Sequence, residues 1–248
     1  MLQNFFASTL ALSIALFSLP VQADYDAVSL LKKMDELYRS DNSTATINMH
    51  IVTPNWQRTL KMQSWTIGMD DTFIRVLAPK KDKGVSTLKI SNEMWNYFPK
   101  INKTIKVPPS MMMGSWMGSD FTNDDLVREV SLVKEYNVDK TEIDNKYRLT
   151  LIPKKNTVTV WARIEILIDK KNLLPVEQSY FNEKGEKVRS MYFSNIREFS
   201  GKQLPSTMSM VPHNKEGNKT EIEYITLEFN TDMDTDIFTL RNLQKRVR

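Results

Sequence analysis

Three aspartates in the middle of the chain form its densest group of side chains that could do chemistry. Asp120, Asp124 and Asp125 lie within six residues of one another. Carboxylates at this density can bind calcium or transfer protons, but their spacing lacks the Asp-x-Asp-x-Asp-Gly order of a calcium loop. Asp125 stands three residues after Thr122, which is the spacing of a capping box that opens a helix. We therefore predict helix capping and surface roles for these carboxylates, and no metal site.

Nucleophiles and metal ligands of other kinds are scarce. The chain has no cysteine, and His50 and His213 are its only histidines. This excludes disulfides, thiolate metal sites and cysteine nucleophiles. A Ser-His-Asp site stays open because triads assemble across a fold, but no Gly-x-Ser-x-Gly turn supports one, and the seven glycines form no phosphate-binding loop. We expect a protein that is not an enzyme and that uses no cofactor.

The segment 108–129 concentrates apolar side chains between glycines. Gly114 and Gly118 stand within a stretch rich in methionine and aromatic residues, in a chain that has 14 methionines in all. Methionine fills irregular apolar spaces and adapts to varied partners. Two interpretations remain open: a movable flap over an apolar surface, or a short helical plug that stays buried in the core.

Short strand-like runs dominate the elements that must position these residues. An amphipathic helix is predicted from Asp26 to Tyr38, with Asp24 or Asp26 as its cap. A dozen strands are predicted at 44–53, 57–67, 72–77, 85–90, 93–98, 104–107, 147–152, 161–168, 175–181, 188–196, 205–210 and 220–229. Regular spacing without helical crossovers predicts a large antiparallel meander with one apolar face. The apolar phase slips between Tyr224 and Ile225, which predicts a bulge.

The first 23 residues have the pattern of an export signal. An apolar stretch runs from Phe5 to Leu19, and Val21-Gln22-Ala23 supplies the small residues of a cleavage site. We predict cleavage after Ala23 and a single domain over 24–248; an uncleaved anchor is the alternative. An exported protein without cysteine is typical of a bacterial periplasm. The net charge of +4 comes from interleaved residues of both signs and argues against nucleic-acid binding.

Aromatic residues are spread over strands that we expect to be neighbours. Trp65, Phe73, Trp95 and Tyr97 are the main examples. They either fill the core or line an internal space. Surplus strands, the many methionines and the glycine-flanked segment favour an apolar space large enough for a ligand.

Residues 114–126, GSWMGSDFTNDDL, resemble the GS-x-x-GSDF-[ST]-x-x-DL signature of the outer-membrane lipoprotein-sorting, or LolA-like, family. The resemblance continues at Ala78-Pro79, Lys83-Gly84, 95–99, 169–175, Gly185, Leu204-Pro205, Phe238-Thr239 and Asn242-Leu243. It is closer to the subfamily associated with RND-type exporters than to the dedicated lipoprotein carrier. It implies a mainly β fold: a strongly curved, unclosed antiparallel half-barrel around a hydrophobic cavity, with an N-terminal helix and short lid helices.

The resemblance also implies a soluble periplasmic carrier that shields acyl chains of a lipid or lipoprotein on the way to or from the outer membrane. The alternatives are a non-carrier accessory subunit of an RND-type inner-membrane exporter and a periplasmic hydrolase. We expect a monomer. The predicted lid or gate comprises Gly114, Gly118, Asp120, Asp125 and, as the arginine that contacts the lid, Arg75. The predicted lipid-binding residues are Trp65, Phe73, Trp95, Tyr97, Met111, Met112, Trp116, Met117, Phe121, Met208 and Met210.

Overall fold

The computed structural model describes residues 25–68, 70–127 and 132–245. The predicted export signal at 1–23 lies outside these ranges. In the described ranges, no helix combines the length and the apolar character needed to cross a bilayer.

In the part of the chain that the structure describes, thirteen antiparallel strands form one sheet. The first six are β1 (Asn42–Val52), β2 (Gln57–Ile67), β3 (Asp71–Ala78), β4 (Ser86–Ile90), β5 (Glu93–Phe98) and β6 (Lys103–Lys106). The others are β7 (Tyr136–Ile143), β8 (Lys146–Pro153), β9 (Arg163–Asp169), β10 (Pro175–Phe181), β11 (Lys187–Phe199), β12 (Lys202–Pro212) and β13 (Lys219–Phe229). Their spatial order is 6-5-4-3-2-1-13-12-11-10-9-8-7. Among the described residues β6 and β7 each pair with one neighbour, so the sheet has two open edges and is not a closed barrel.

Alternating side chains give the sheet two distinct faces. Along β1 every second residue is buried, and the same period holds along β9, where Ile164, Ile166 and Ile168 are buried. This is the behaviour of a strand whose one face packs on a core. Where Thr46/Ile47 of β1 pair with β13, the register shifts past Ile225. The predicted bulge is therefore present, and it lets Tyr224 and Leu227 share a face.

Helices cover both faces of the sheet, and the first three of them lie on the face on which β1 buries its apolar residues. The N-terminal helix α1 (Ala27–Asp35) is capped by Asp26, whose carboxylate accepts a hydrogen bond of 2.9 Å from the backbone amide of Ser29. It buries Leu30 and Leu31 against strands β7 to β10. Two short helices follow β6, α2 (Asn123–Val127) and α3 (Leu132–Glu135), and α4 (Leu240–Leu243) ends the described chain. Short 3₁₀ turns stand at Pro109–Met111 and Thr235–Ile237.

The predicted mainly β, unclosed antiparallel fold is confirmed. Twelve of its strands match predicted runs; β7 does not. Along β7 only Tyr136 is buried, because the strand lies at an open edge of the sheet. Edge strands carry polar and charged residues that discourage pairing with other chains, so β7 lacks the apolar alternation that marks a strand in sequence.

Candidate functional site: a lidded apolar cavity

A cavity of about 430 Å³ lies between the sheet and the helices α1, α2 and α3. Both the central strands and the helices contribute side chains to its wall. The lining residues are Met34, Asp35, Tyr38, Arg39, Ser43, Ala45, Ser64, Thr66, Gly68, Phe121, Asp124, Asp125, Leu126, Leu132, Glu135, Tyr136, Thr159, Trp161, Ile164, Gln178, Tyr180, Met191, Met208, Met210, Ile222, Tyr224 and Leu227. The volume falls within the range of small-molecule binding sites.

Methionines from neighbouring strands form the floor of the cavity. Met191 on β11 stands directly opposite Met210 on β12, and Met208 stands opposite Ile222 on β13. Met210 is fully buried, whereas Met191, Met208 and Ile222 are only half-buried. Apolar side chains half-exposed at the centre of a sheet indicate a space that the protein does not fill with its own atoms. Flexible thioethers allow such a floor to adapt to chains of different shape.

Residues 114–127, here called the lid, close the cavity between β6 and α3. A bridge between Ser115 and Thr122 folds the loop back on itself, and Phe121 points into the cavity wall. The predicted capping box opens α2: the Asp125 amide donates to the Thr122 hydroxyl at 3.1 Å, and the Asp125 carboxylate accepts from the Thr122 amide at 2.7 Å. This reciprocal pair holds the first turn of a helix too short to be stable alone.

Arg189 on β11 links this helix to the sheet. Its guanidinium donates two hydrogen bonds to the Asp125 carboxylate, of 2.6 and 2.8 Å. Two parallel bonds of this kind are the strongest arrangement between arginine and a carboxylate. Arg189 is 5% exposed, so the pair is largely desolvated.

Two aromatic rings flank the same guanidinium. Its central carbon lies 4.4 Å from the ring centre of Tyr180 and 4.6 Å from that of Trp161. Burial alone would lower the pKa of Arg189, but the hydrogen bonds that it donates to Asp125 and the neighbouring charges outweigh burial, and the pKa is raised. Burial also raises the pKa of Tyr180 to about 12. The arginine is therefore held as a cation between rings and carboxylate.

The other end of the lid is held by weaker contacts. The Asp120 carboxylate accepts a hydrogen bond of 2.7 Å from the Thr220 hydroxyl on β13. The Arg58 guanidinium on β2 donates to the backbone carbonyl of Met117. Trp116 is buried, and its indole N–H donates to the Thr87 hydroxyl at 3.1 Å. Thus β2, β4, β11 and β13 all hold the lid.

The predicted aromatic wall lies on the other face of the sheet. Ser64 lines the cavity, so Trp65, the next residue of β2, points away from it. Phe73 is paired with Trp65, and Trp95 lies two strands further along the same face. With Tyr97 these residues pack against Phe238 and Leu243 of the C-terminal segment. They form a separate core that the C-terminal segment covers.

The other predicted residues divide between the cavity and its surroundings. Phe121, Asp125, Met208 and Met210 line the cavity. Met111 is exposed on the 3₁₀ turn before the lid. The remaining residues of the predicted set pack beneath the lid or belong to its loop: Met112, Gly114, Trp116, Met117, Gly118 and Asp120.

Arg75 holds the C-terminal helix rather than the lid. Its guanidinium donates to the backbone carbonyl of Asn242 at 2.6 Å and to the Ser86 hydroxyl at 3.1 Å, and it lies 4.6 Å from the ring centre of Phe73. Burial lowers the pKa of this arginine. Two other arginines contact the lid: Arg58, through the Met117 carbonyl, and Arg189, which lies 64 positions from its partner Asp125. No local pattern in the sequence marks the pair of Arg189 and Asp125. The one signal was an arginine at a strand position where the alternation predicts a side chain that faces the core.

The histidines lie outside the cavity. The Ser190 hydroxyl is 2.9 Å from His213 Nε2, but Ser190 is 0% exposed and alternates with Arg189 and Met191, so it points away from the cavity. The nearby Glu177 carboxylate accepts hydrogen bonds from the hydroxyls of Ser190 and Ser179. In a catalytic triad the acid contacts and orients the histidine instead, so this arrangement is not that of a triad. Within the described ranges, no three His, Asp or Glu side chains are grouped so as to hold a metal ion.

Comparisons with known proteins agree with this architecture. A crystal structure of a DUF1329 family protein from Desulfovibrio piger has a TM-score of 0.78 and 23% identity, covering 87% of this chain and 97% of its own. An outer membrane lipoprotein-sorting protein domain from Vibrio parahaemolyticus has a TM-score of 0.75 and 19% identity, covering 88% and 98%. A LolA superfamily protein from Nitrosomonas europaea has a TM-score of 0.72 and 18% identity, covering 88% and 100%. Among curated proteins, no sequence matches.

The open half-barrel with a lidded cavity therefore defines a protein of the LolA-like fold, and the predicted resemblance is confirmed at this level. A family model with the description "-like: Uncharacterized protein" matches residues 68–245, more than half of the chain. The chain belongs to that family.

Proposed function

We propose that this protein is a soluble periplasmic carrier that shields the acyl chains of a lipid or lipoprotein during transfer to or from the outer membrane. The single observation that carries the proposal is the 430 Å³ cavity with a methionine floor beneath a lid held by side chains. The proposal includes removal of residues 1–23 as an export signal and a single domain over 24–248. The family resemblance of residues 114–126 supports the same role.

The energetics of such a cavity fit acyl chains. Covering roughly ten methylene groups stabilises a bound chain by on the order of 8 kcal/mol, at about 0.8 kcal/mol each. The floor offers Met191, Met208, Met210, Ile222 and Leu227 for these contacts. The charged groups in the wall lie on the helical side of the cavity, in the helices and the turn after α1, and two of them belong to the lid: Asp35, Arg39, Asp124, Asp125 and Glu135. An acyl chain on the floor therefore leaves its polar end free to lie under the lid.

A carrier must also release its cargo. The open edges of the sheet and a lid held by a few polar contacts provide a route that a closed barrel would lack. A partner that replaced the Arg189–Asp125 contact with its own contacts would favour the open lid. The size of that effect is the difference between the partner's affinities for the open and the closed state.

An accessory subunit of an RND-type exporter that carries nothing is the second candidate function. The resemblance to the exporter-associated subfamily favours it, and it requires no occupied cavity. The hydrolase alternative lacks support, since the buried Ser190 is the serine that contacts a histidine side chain in the described part of the chain.

Lipid extraction followed by mass spectrometry tests the carrier directly. We expect acyl-chain lipids to accompany the purified protein and a fluorescent fatty-acid probe to bind it. Met208→Asp should abolish probe binding, because it places a charge on the cavity floor. Tyr192→Asp, on the outer face of β11, is the control and should bind normally. Consistently empty protein that also ignores the probe would contradict the carrier and favour the accessory subunit.

A further inference from the structure

A basic surface with exposed apolar tips stands at one end of the sheet, outside the cavity. Three turns form it, two of them together with the first residues of the strand that follows. We call these segments the turn surface: 53–58 after β1, 79–84 after β3, and 99–103 after β5. The register places all three at one end, since Lys61 pairs with Ala78 and Ser86 pairs with Tyr97.

The turn surface carries an unbalanced charge. Its basic residues are Arg58, Lys80, Lys81, Lys83, Lys100 and Lys103, and its one carboxylate is Asp82. Arg58 lies 3.7 Å from that carboxylate. All five lysines are exposed. At the same end of the other half of the sheet, the turns 182–186 and 213–218 hold both signs, whereas 154–162 carries Lys154 and Lys155 without a carboxylate. With six cations against one carboxylate, the formal charge of the turn surface exceeds the +4 of the whole chain, so positive charge is concentrated here.

Large apolar side chains stand among these lysines. Trp56, the last residue before β2, is 44% exposed, and Ile101, in the turn between β5 and β6, is 59% exposed. Trp56, Arg58, Lys81, Met117 and Gly118 line one shallow groove, which shows that the first two turns meet each other and the lid. A tryptophan whose ring is half in water, beside lysines on flexible stems, matches the chemistry of a membrane interface.

We propose that the turn surface docks the protein on a lipid surface with anionic headgroups, with Trp56 at the level of the headgroups. Lysines near such a surface are attracted by its negative potential, and the exposed apolar tips add contact with the acyl boundary. The groove reaches Met117, whose carbonyl Arg58 holds, so the surface that meets the membrane also contacts the lid. Docking through the turn surface would therefore bring the Met117 end of the lid to the lipid surface.

Vesicle binding by the full mature chain tests the proposal. Vesicles of phosphatidylcholine with about a third phosphatidylglycerol should bind the protein, and vesicles of phosphatidylcholine alone should not. Binding should weaken with salt, since exposed charges are screened. Lys80→Glu/Lys81→Glu should weaken binding at least about tenfold. Lys33→Glu/Lys171→Glu makes the same change in net charge with exposed lysines outside the turn surface and should keep binding within about twofold.

Tryptophan fluorescence locates the contact. Of the five tryptophans, all in described ranges, Trp56 is the one classed as exposed. Brominated lipids should quench its emission, and Trp56→Phe should remove that quenching. Equal binding to neutral vesicles, equal loss in both double variants, or quenching that persists in Trp56→Phe would overturn the proposal. The proposal is independent of the carrier function: Met208→Asp should bind vesicles normally even where it loses the fatty-acid probe.

Discussion

The carboxylate of Asp125 joins the lid to the sheet through Arg189. Its Oδ2 accepts the capping hydrogen bond from the Thr122 amide at 2.7 Å and one guanidinium bond at 2.8 Å, and its Oδ1 accepts the other guanidinium bond at 2.6 Å. Formation of the helix and its attachment to β11 therefore depend on one side chain. Because Asp125 lies in the wall of the cavity, a change in this contact alters the lid and the cavity together.

Arg189→Leu should loosen the lid. The change leaves Asp125 without its main partner in a largely desolvated place, which costs on the order of 3 kcal/mol of unfolding free energy. Hydrogen exchange of residues 114–127 should accelerate more than exchange of β1. Denaturant unfolding and hydrogen exchange measure the two effects. Asp125→Asn keeps a capping oxygen and can be combined with Arg189→Leu in a double-mutant cycle. The double variant should lose less unfolding free energy than the sum of the losses of the two single variants. Additive losses would show that the two residues act separately.

Adjacent residues on β11 should differ in their effect on ligand binding. Met191→Asp puts a carboxylate in the cavity floor and should reduce affinity for a fatty-acid probe at least about tenfold, because burying an unpaired charge is costly. Tyr192→Asp changes the opposite face and should leave the affinity within about twofold. Probe titration by fluorescence measures both, and circular dichroism checks that each variant folds. Equal effects would contradict the placement of the site on this face.

Arg75→Leu should affect stability without affecting ligand binding. The substitution removes the hydrogen bond to the Asn242 carbonyl and leaves that carbonyl without this donor, at a cost of about 1 to 3 kcal/mol. Thermal unfolding should occur at a lower temperature, and exchange should accelerate in 235–245. Probe affinity should match that of the unaltered protein at temperatures where the variant is folded. Lost affinity under those conditions would assign Arg75 to the lid after all.

Glu177 should make stability sensitive to acid. Its carboxylate accepts hydrogen bonds from Ser179 and from Lys187, which together outweigh burial, and the pKa of Glu177 lies below the ordinary value of 4.5. Stability from this group is therefore complete above pH 4.5 and is lost as the pH falls through the lowered pKa. Unfolding free energies measured from pH 6 to pH 3 should fall less steeply in Glu177→Gln. Identical slopes would contradict this role.

Local patterns in the sequence determined much of the architecture. The 3.6-residue spacing after Asp26 predicted α1, and period-two alternation predicted twelve strands, since both depend on near neighbours. The Thr122–Asp125 capping box was equally readable because its partners stand three residues apart. The bulge at Ile225 was visible as a slip in the apolar phase.

The tertiary structure alone decided which face of the sheet holds the cavity. Alternation separates two faces of a strand but does not label them, and here both are apolar, since the C-terminal segment covers the face that carries Phe73. From the sequence, the aromatic residues and the methionines were therefore predicted to line one cavity wall. In the structure they lie on opposite faces of the sheet. The partnership of Arg189 with Asp125 spans 64 positions and depends on the fold placing β11 against the lid, which no short pattern in the sequence encodes.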